Sequence, residues 1–518
     1  MNPLELNLSS PEYAQLAPQL IVFGLAIVLM GLDVFLDKAR HYTVLTAVSL
    51  IGYAAAMLAL IWRDDKNEST FSGLFRSDGL TVFLSVVLLS SAILTVMVSA
   101  SYVDRLEGRM PIGEFYVLLA FSILGALLVA SAGNIVMVFV GIELSALATY
   151  ILTAFAKRRA TSLEGAMKYF LLGVFASAIL IYGLAWVYGI TGSTDLDKIA
   201  VYLQGVVQGT EDRQPEVLFA LLLVVVGLGF KIAAVPFHMW TPDAYDGAPT
   251  PVTGFMSVGP KAAGFAALIR VLVQGLGPLR DDWYVLIAIL ATMTMIFGNL
   301  VAISQRNVKR MLAYSSIAHT GYMLVGLAAY QSSTGSGRFV SLGGGSAQSD
   351  PGVTSLLYYS LAYTFMNIGA FAVITWLQHR GRGMSLDDLA GLGSTRPLAA
   401  LAMAIFMVSL MGVPPLLGFY AKYYVIVAAI NADLLWLAVA VVLASAVSAY
   451  FYLRVVVVMY FNPPEHELRA TSTSLLNISI GALAIANVVI GLFSGRIIDL
   501  ADRWSGALEV AQQVAQTR

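Results

Sequence analysis

Fourteen stretches of this chain are each apolar for about 20 residues, the length at which an α-helix crosses the roughly 30 Å of hydrocarbon in a bilayer. Lipid offers no hydrogen bonds to a backbone. A segment crossing it must therefore pair its own N–H and C=O groups, and unbroken apolar runs of this length do so as helices. The expected spans are 17–36, 43–62, 79–100, 113–131, 134–156, 166–190, 216–235, 252–274, 283–303, 311–330, 353–378, 398–430, 434–461 and 473–494. Composition agrees: 58% of residues are hydrophobic, 12% are charged, and the mean hydropathy is +0.79. The fold class is an all-α polytopic membrane protein. A net charge of −1 gives nucleic acid no basic face to bind. With no cysteine in the chain, thiolate-held clusters and cysteine zinc sites are excluded.

An even number of crossings puts both termini on one side, and basic loops choose which. Lys38 and Arg40, Arg105 and Arg109, Lys157 to Arg159, Arg306, Lys309 and Arg310, and Arg380, Arg382 and Arg396 all fall in alternate loops. Those loops are assigned to the inner side and both termini to the outer, periplasmic side. The opposite loops are longer or more acidic, such as DLDKIAVYLQGVVQGTEDRQPE and the Gly/Ser-rich QSSTGSGRFVSLGGGSAQSDPG. The start, MNPLELNLSSPEYAQL, is acidic and lacks a basic n-region, so neither a cleaved signal nor a transit peptide is expected. A bacterial inner membrane is the expected location. After the last span, Ile497, Leu500, Ala501, Trp504, Leu508, Ala511 and Ala515 recur at helical spacing, as in an interfacial amphipathic helix.

Three lysines, Lys231, Lys261 and Lys422, lie within these apolar runs. A lysine at mid-membrane costs roughly 2.5–3.5 kcal/mol on insertion scales, so one that is present faces a protein interior or a wet cavity. Two of the runs are also interrupted by proline, at Pro236 in GLGFKIAAVPFHMWTPDAYDGAPTPV and at Pro414 and Pro415 in SLMGVPPLLGFYAKYYV. Proline removes a donor and clashes with the preceding turn. The breaks are five helices apart, so spans four to eight and nine to thirteen read as two copies of one unit. An odd number of helices per copy makes the second inverted. Discontinuous helices in inverted repeats are one way to build a midplane site, whereas a single break reads equally as an ordinary kink. The organisation is one membrane domain, 1–518: three N-terminal helices in 1–112, a first repeat in 113–275, a second in 283–462, and a last helix with its tail in 473–518.

The second helix of each copy carries another protonatable group: Glu143 in VMVFVGIELSALATYIL and His319 in MLAYSSIAHTGYMLVG. A carboxylate in a dry bundle stays ionised only beside a cation, and Lys231 is the natural partner for Glu143. A static helix–helix hydrogen bond is the alternative for either residue. Burial disfavours the charged form of a lysine, which makes Lys231, Lys261 and Lys422 usable as proton donors and acceptors near neutral pH. Lys168 and Arg454 sit near span ends and read as interfacial residues. There is no Walker A loop, dinucleotide fingerprint or HExxH site. His238 with Asp243 and Asp246 suggests a metal only weakly, because PDAYDGAPTP has the punctuation of a rigid connector.

FKIAAVPFHMWTPDAYDGAPTPVTGFMSVGPKAAGF, GIELSALATYIL, KRMLAYSSIAHTGY and GVPPLLGFYAKYYV together resemble the antiporter-like membrane subunits of respiratory complex I, the NADH–quinone oxidoreductase. Within them the closest pattern is that of subunit N, also called subunit 2. The resemblance covers spans four to thirteen strongly. Mrp-type cation/proton antiporter subunits and complex I subunits L and M share the fold. The lysine on the second broken helix, Lys422, favours N over M, which has a glutamate there. The resemblance implies a proton-translocating subunit of a translocase, driven by quinone reduction elsewhere in the complex. Glu143, Lys231, Lys261, His319 and Lys422 would form a polar axis along the midplane, with Lys422 on the exit side. It also implies that this chain binds no cofactor, with NADH, FMN, iron–sulfur clusters and quinone held by other subunits. Its partners would be M-like and K/J-like membrane-arm neighbours, lipid and protons. A sodium/proton exchanger of the Mrp type and a purely structural spacer are the competing classes.

Overall fold

The computed structural model describes residues 13–36, 41–62, 68–104, 112–209, 215–331, 350–378, 385–464 and 473–505. A 3-10 turn, Tyr13–Leu16, leads into α1 (Ala17–Phe35), α2 (His41–Ile61), a two-stranded antiparallel hairpin of β1 (Glu68–Thr70) and β2 (Phe75–Ser77), and α3 (Gly79–Asp104). There follow α4 (Ile112–Ala130), α5 (Ile135–Thr153), α6 (Ala160–Thr191), α7 (Leu196–Gln208), α8 (Glu216–Lys231), α9 (Thr241–Gly247), α10 (Thr250–Met256) and α11 (Gly259–Leu268). A π-helical turn, Ile269–Gly275, extends α11. The remainder comprises α12 (Arg280–Ser304), α13 (Val308–Ala328), α14 (Pro351–Leu377), α15 (Leu392–Thr395), α16 (Pro397–Met411), α17 (Leu417–Asn431), α18 (Leu435–Phe461), α19 (Ser474–Leu492) and α20 (Ser494–Ser505).

Eleven helical segments among the described residues are long and apolar enough to cross a membrane. The three expected crossings that fall short are those carrying Lys231, His319 and Lys422. α8 is 16 residues and α17 is 15, each cut by its proline break, while α13 has 21 residues but is too polar. α13 and α14 lie at the centre, buried over nearly all of their length. α1, α6, α12, α18 and α19 turn large apolar side chains outward, as a lipid-facing shell does. Helix starts follow local chemistry. Asn134, Asn307 and Asp350 cap α5, α13 and α14 by accepting from the first-turn N–H groups.

At the first break the backbone leaves the helix after Lys231 and runs through Ala233 at φ +62 and a cis Val235–Pro236 bond into α9. The groups it frees are taken up by side chains. Thr294 of α12 accepts from the Val235 N–H at 3.0 Å, Trp240 donates to the Phe230 carbonyl at 3.1 Å, and Thr320 of α13 donates to the Ile232 carbonyl at 2.9 Å. At the second break Gly412, at φ +95, reverses the chain in a conformation that favours glycine, and Pro414–Pro415 is also cis. The Ser409 hydroxyl accepts from the Gly418 N–H at 3.1 Å and donates to Asn487 of α19.

Several sequence expectations change. The stretch read as a long acidic loop contains α7, capped by Asp195, whose apolar face of Leu196, Ile199, Leu203 and Val206 is buried. At 13 amphipathic residues it falls below the length of a crossing. α20 begins where the tail helix was expected, but it packs on the ends of α3 and α14 and buries Ile498, Ala501, Asp502 and Ser505, while Leu500 points outward. It is a docked helix rather than a free interfacial one. Lys309, counted among the loop cations, is wholly buried and donates to the carbonyls of Asp246 and Ala248. Of the basic loops, the stretch at Arg306 meets the stretch at Ser385 and Leu386, where Leu386 N–H donates to the Arg306 carbonyl, and Arg310 pairs with Asp243 of α9 at 2.8 Å. Lys38, Arg40, Arg105, Arg109, Arg380 and Arg382, most of the Gly/Ser-rich loop, and Leu508, Ala511 and Ala515 lie outside the described residues.

Candidate functional site

Glu143 on α5 and Lys231 at the end of α8 form an ion pair, Nζ to Oε1 2.8 Å, with 22% and 7% of their side chains exposed. The partner expected from charge balance is the one present. Ser177 of α6 joins them: its hydroxyl accepts from Lys231 Nζ at 3.0 Å and stands 2.6 Å from Glu143 Oε1, to which it donates. The Gly173 carbonyl, one turn back and 2.9 Å away, competes for the same proton.

Lys261, in the first turn of α11, forms no ion pair among the described residues. It donates to the Ser316 carbonyl at 2.8 Å, the Ser316 hydroxyl at 2.6 Å and the Thr320 hydroxyl at 3.0 Å, all on α13. Thr320 also bonds the Ile232 carbonyl, next in sequence to Lys231, so a single hydroxyl connects Lys261 to the break beside the ion pair. His319, the preceding residue on α13, is buried between two tyrosines. Its Nδ1 is 2.7 Å from the Tyr359 hydroxyl and its Nε2 is 3.0 Å from the Tyr452 hydroxyl, which in turn meets Ser315 Oγ at 2.5 Å. Lys422 on α17 donates to the Met411 carbonyl, the acceptor freed by the second break, at 2.8 Å, and its ammonium lies 4.8 Å from the ring centre of Tyr322.

Glu143, Lys231, Lys261 and His319 are thus each bonded to a hydroxyl or carboxylate that can exchange a proton, while Lys422 is held by a carbonyl that only accepts. Three of the five, His319, Lys261 and Lys422, sit on or against α13. Pro236, Pro414 and Pro415 stand at the breaks that free the carbonyls used. His238 does not join Asp243 and Asp246. Asp243 is bridged by Lys168 at 2.7 Å and Arg310 at 2.8 Å, and Asp246 accepts from Asn307 at 2.9 Å. Burial pushes the Asp243 carboxyl up, but hydrogen bonds and charge from Lys168 and Arg310 hold it below the usual carboxylate range. No group of metal-binding side chains occurs among the described residues. Lys168 also pairs with Glu164, and Arg454 caps the end of α12 at the Ile303 carbonyl.

Sequence reasoning missed a second buried ionic cluster. Arg270, in the π-helical turn, is fully buried against Asp78 at 2.6 and 2.7 Å, Thr81, Gln274 and the Ala130 carbonyl. Gln274 passes the contact to Asp197, which also pairs with Arg76. Asp78 and Arg270 are 192 residues apart, so no local pattern pairs them. Burial alone would raise the Asp78 carboxyl, but the Arg270 charge and hydrogen bonds, with Arg76 and Thr81, bring it down to about 2. Ser177, Tyr359 and Tyr452 were also missed, because a hydroxyl within an apolar helix carries no spacing signal of its own.

A helical membrane bundle with two interrupted helices and buried protonatable groups is the class the sequence resemblance predicts. The family model described as NADH:quinone oxidoreductase/Mrp antiporter, TM matches residues 132–448, more than half the chain, and the chain belongs to that family. Within the family, a relative from Trichlorobacter lovleyi named NADH-quinone oxidoreductase subunit N is 42% identical over 96% of this chain and 97% of its own length. A chain of respiratory complex I from Thermus thermophilus is 32% identical and superposes with a TM-score of 0.75 over 93% of this chain and 98% of that one. A chain of the Mrp complex from Dietzia shares the fold, with a TM-score of 0.77 over 97% of this chain and 99% of that one, at 20% identity.

Proposed function

We propose that this chain is an antiporter-like subunit N of the membrane arm of a bacterial NADH–quinone oxidoreductase and carries protons across the membrane while other subunits reduce quinone. The observation that carries the reading is the Lys231–Glu143 pair, 2.8 Å apart, bridged by Ser177 and set at the end of a broken helix. Pairing favours a charged Lys231, and separation favours handing its proton on. Lys261 receives through the Ser316 and Thr320 hydroxyls, His319 and Tyr452 continue the path along α13, and Lys422 delivers on the exit side. Moving one charge against 100 mV takes about 2.3 kcal/mol, a scale that rearranging one buried ion pair can supply.

The two broken helices belong to inverted repeats in 113–275 and 283–462, within a fourteen-crossing chain whose termini face the periplasm. NADH, FMN, iron–sulfur clusters and quinone are held by other subunits of this translocase, and the neighbours in the arm are M-like and K/J-like subunits. The higher identity to complex I chains favours this reading over an Mrp-type exchanger, to which the likeness is one of fold. The test is proton pumping alongside quinone reduction in membranes carrying Lys231→Ala, with assembly verified on the same sample. Loss of both activities in an assembled complex is expected. Unchanged pumping would reduce the chain to a scaffold.

A further inference from the structure

α16, α19 and the last turn of α14 border a groove of about 830 Å³ on the outer surface of the bundle, away from the buried relay. Its lining runs along α19 from Asn477 to Val489 and along α16 from Pro397 to Ile405. At 1.5 Å per residue these lengths are roughly 18 Å and 12 Å. Half the hydrocarbon of a bilayer is about 15 Å, so the groove covers one leaflet. Its lower lining is aliphatic. Polar character is confined to the end where Arg396, Thr395 and Asn477 stand, with Trp376 at the same level.

Arg396 is exposed, immediately precedes α16 and is held in no ion pair among the described residues. The N–H groups of Leu398 and Ala399, at the same mouth, begin α16 and have no intrahelical acceptor. A guanidinium beside free N–H groups is an anion site, and a trough of aliphatic side chains one leaflet deep is a seat for acyl chains. We propose that this groove binds one anionic phospholipid, its phosphate on Arg396 and the start of α16 and its chains along α16 and α19.

Charge complementarity selects this occupant over a helix from a neighbouring subunit, which would fill the trough but leave the cation at its mouth unanswered. The chain leading to Arg396 also meets the basic loop at Arg306, whose carbonyl accepts from the Leu386 N–H, as expected for the leaflet whose anionic lipids attract basic loops.

The test uses the full chain in lipid nanodiscs. The sequence has no cysteine, so Gly481→Cys places one fluorophore in the groove, at a position where an added Cβ meets nothing within 4 Å. Quenching is titrated with brominated phosphatidylglycerol and, separately, brominated phosphatidylcholine. One arginine near a lipid phosphate is worth about 1 kcal/mol, so phosphatidylglycerol should reach half-quenching at about fivefold lower mole fraction. Adding Arg396→Gln should abolish that preference and Arg396→Lys should keep it. Equal quenching by both lipids, or a preference that survives Arg396→Gln, overturns the proposal. A benzophenone side chain at position 481 in the intact membrane complex provides the second readout. A lipid adduct is expected, and a cross-link to another subunit would make the groove a protein interface instead.

Discussion

Replacing Ser177 by alanine removes one hydroxyl and no charge, which makes it a sharper probe of the relay than deleting the lysine. The hydroxyl touches both members of the ion pair, at 3.0 Å from Lys231 Nζ and 2.6 Å from Glu143 Oε1. Hydrogen bonds to charged partners contribute about 1.5–3 kcal/mol each in buried settings, and the pair is mostly shielded from water. Taking one such bond as the loss, Ser177→Ala lowers the population of the paired arrangement by roughly 10- to 150-fold relative to the separated one. A cycle that passes through the paired arrangement once per turnover slows accordingly. The assay is quinone-linked proton pumping in inverted vesicles, with complex content measured by native electrophoresis. At least a tenfold fall at unchanged assembly is expected, with recovery in Ser177→Thr, which restores the hydroxyl. Pumping by Ser177→Ala equal to that of the unmodified complex would refute the argument that the bridge controls the pair.

Tyr452→Phe keeps the ring but strands His319 Nε2 and Ser315 Oγ, at about 1–3 kcal/mol for a buried polar group without its partner; pumping should fall at least fivefold while assembly persists. Arg270→Met leaves Asp78 charged and unpaired, and breaking a buried pair costs about 3–5 kcal/mol, so the chain should be lost from membranes when its level is measured by immunoblot. The folded Asp78 carboxyl titrates near 2 against 3.8 in the unfolded chain, so its contribution is complete above about pH 4 and disappears as pH falls toward 2. The melting temperature should drop across that window by less in Asp78→Asn than in the unmodified protein. Gly125→Leu forces a Cβ to 2.5 Å from the Gly141 carbonyl where α4 crosses α5, and backbone cannot yield as a side chain can; a marked loss of membrane-inserted protein is expected.

What could be read from the sequence was whatever lipid makes expensive. Lys231, Lys261 and Lys422 announced themselves because each is costly in a bilayer, and Glu143 pointed to Lys231 by charge balance before any distance was known. The breaks at Pro236 and Pro414 follow from covalent structure. Hidden from it were features made by assembly. The partners of His319 are tyrosines on α14 and α18, 40 and 133 residues away, indistinguishable in sequence from packing residues. Arg270 and Asp78 stand 192 residues apart in the chain, and only the fold brings them together. α7 escaped because its apolar stripe is too short to cross a membrane and its polar face gave the stretch the composition of a loop.

The geometry of α13 carries one more consequence. Ser315, Ser316, His319 and Thr320 fall within two turns of a single rod, and between them they grip Lys261, the Ile232 carbonyl and Tyr452. The rod's opposite side is pressed against α12, where Gly298 and Gly321 leave no room for a side chain between the two backbones. A helix held so closely along one edge has little freedom except to slide or roll as a unit. The contacts at Ile232 and Tyr452 therefore share one mechanical coordinate: a displacement that loosens the grip on Ile232 shifts His319 against Tyr452 by a comparable amount. Strain at one of these contacts is carried to the other along a common shaft, with no need for the buried cations to approach one another.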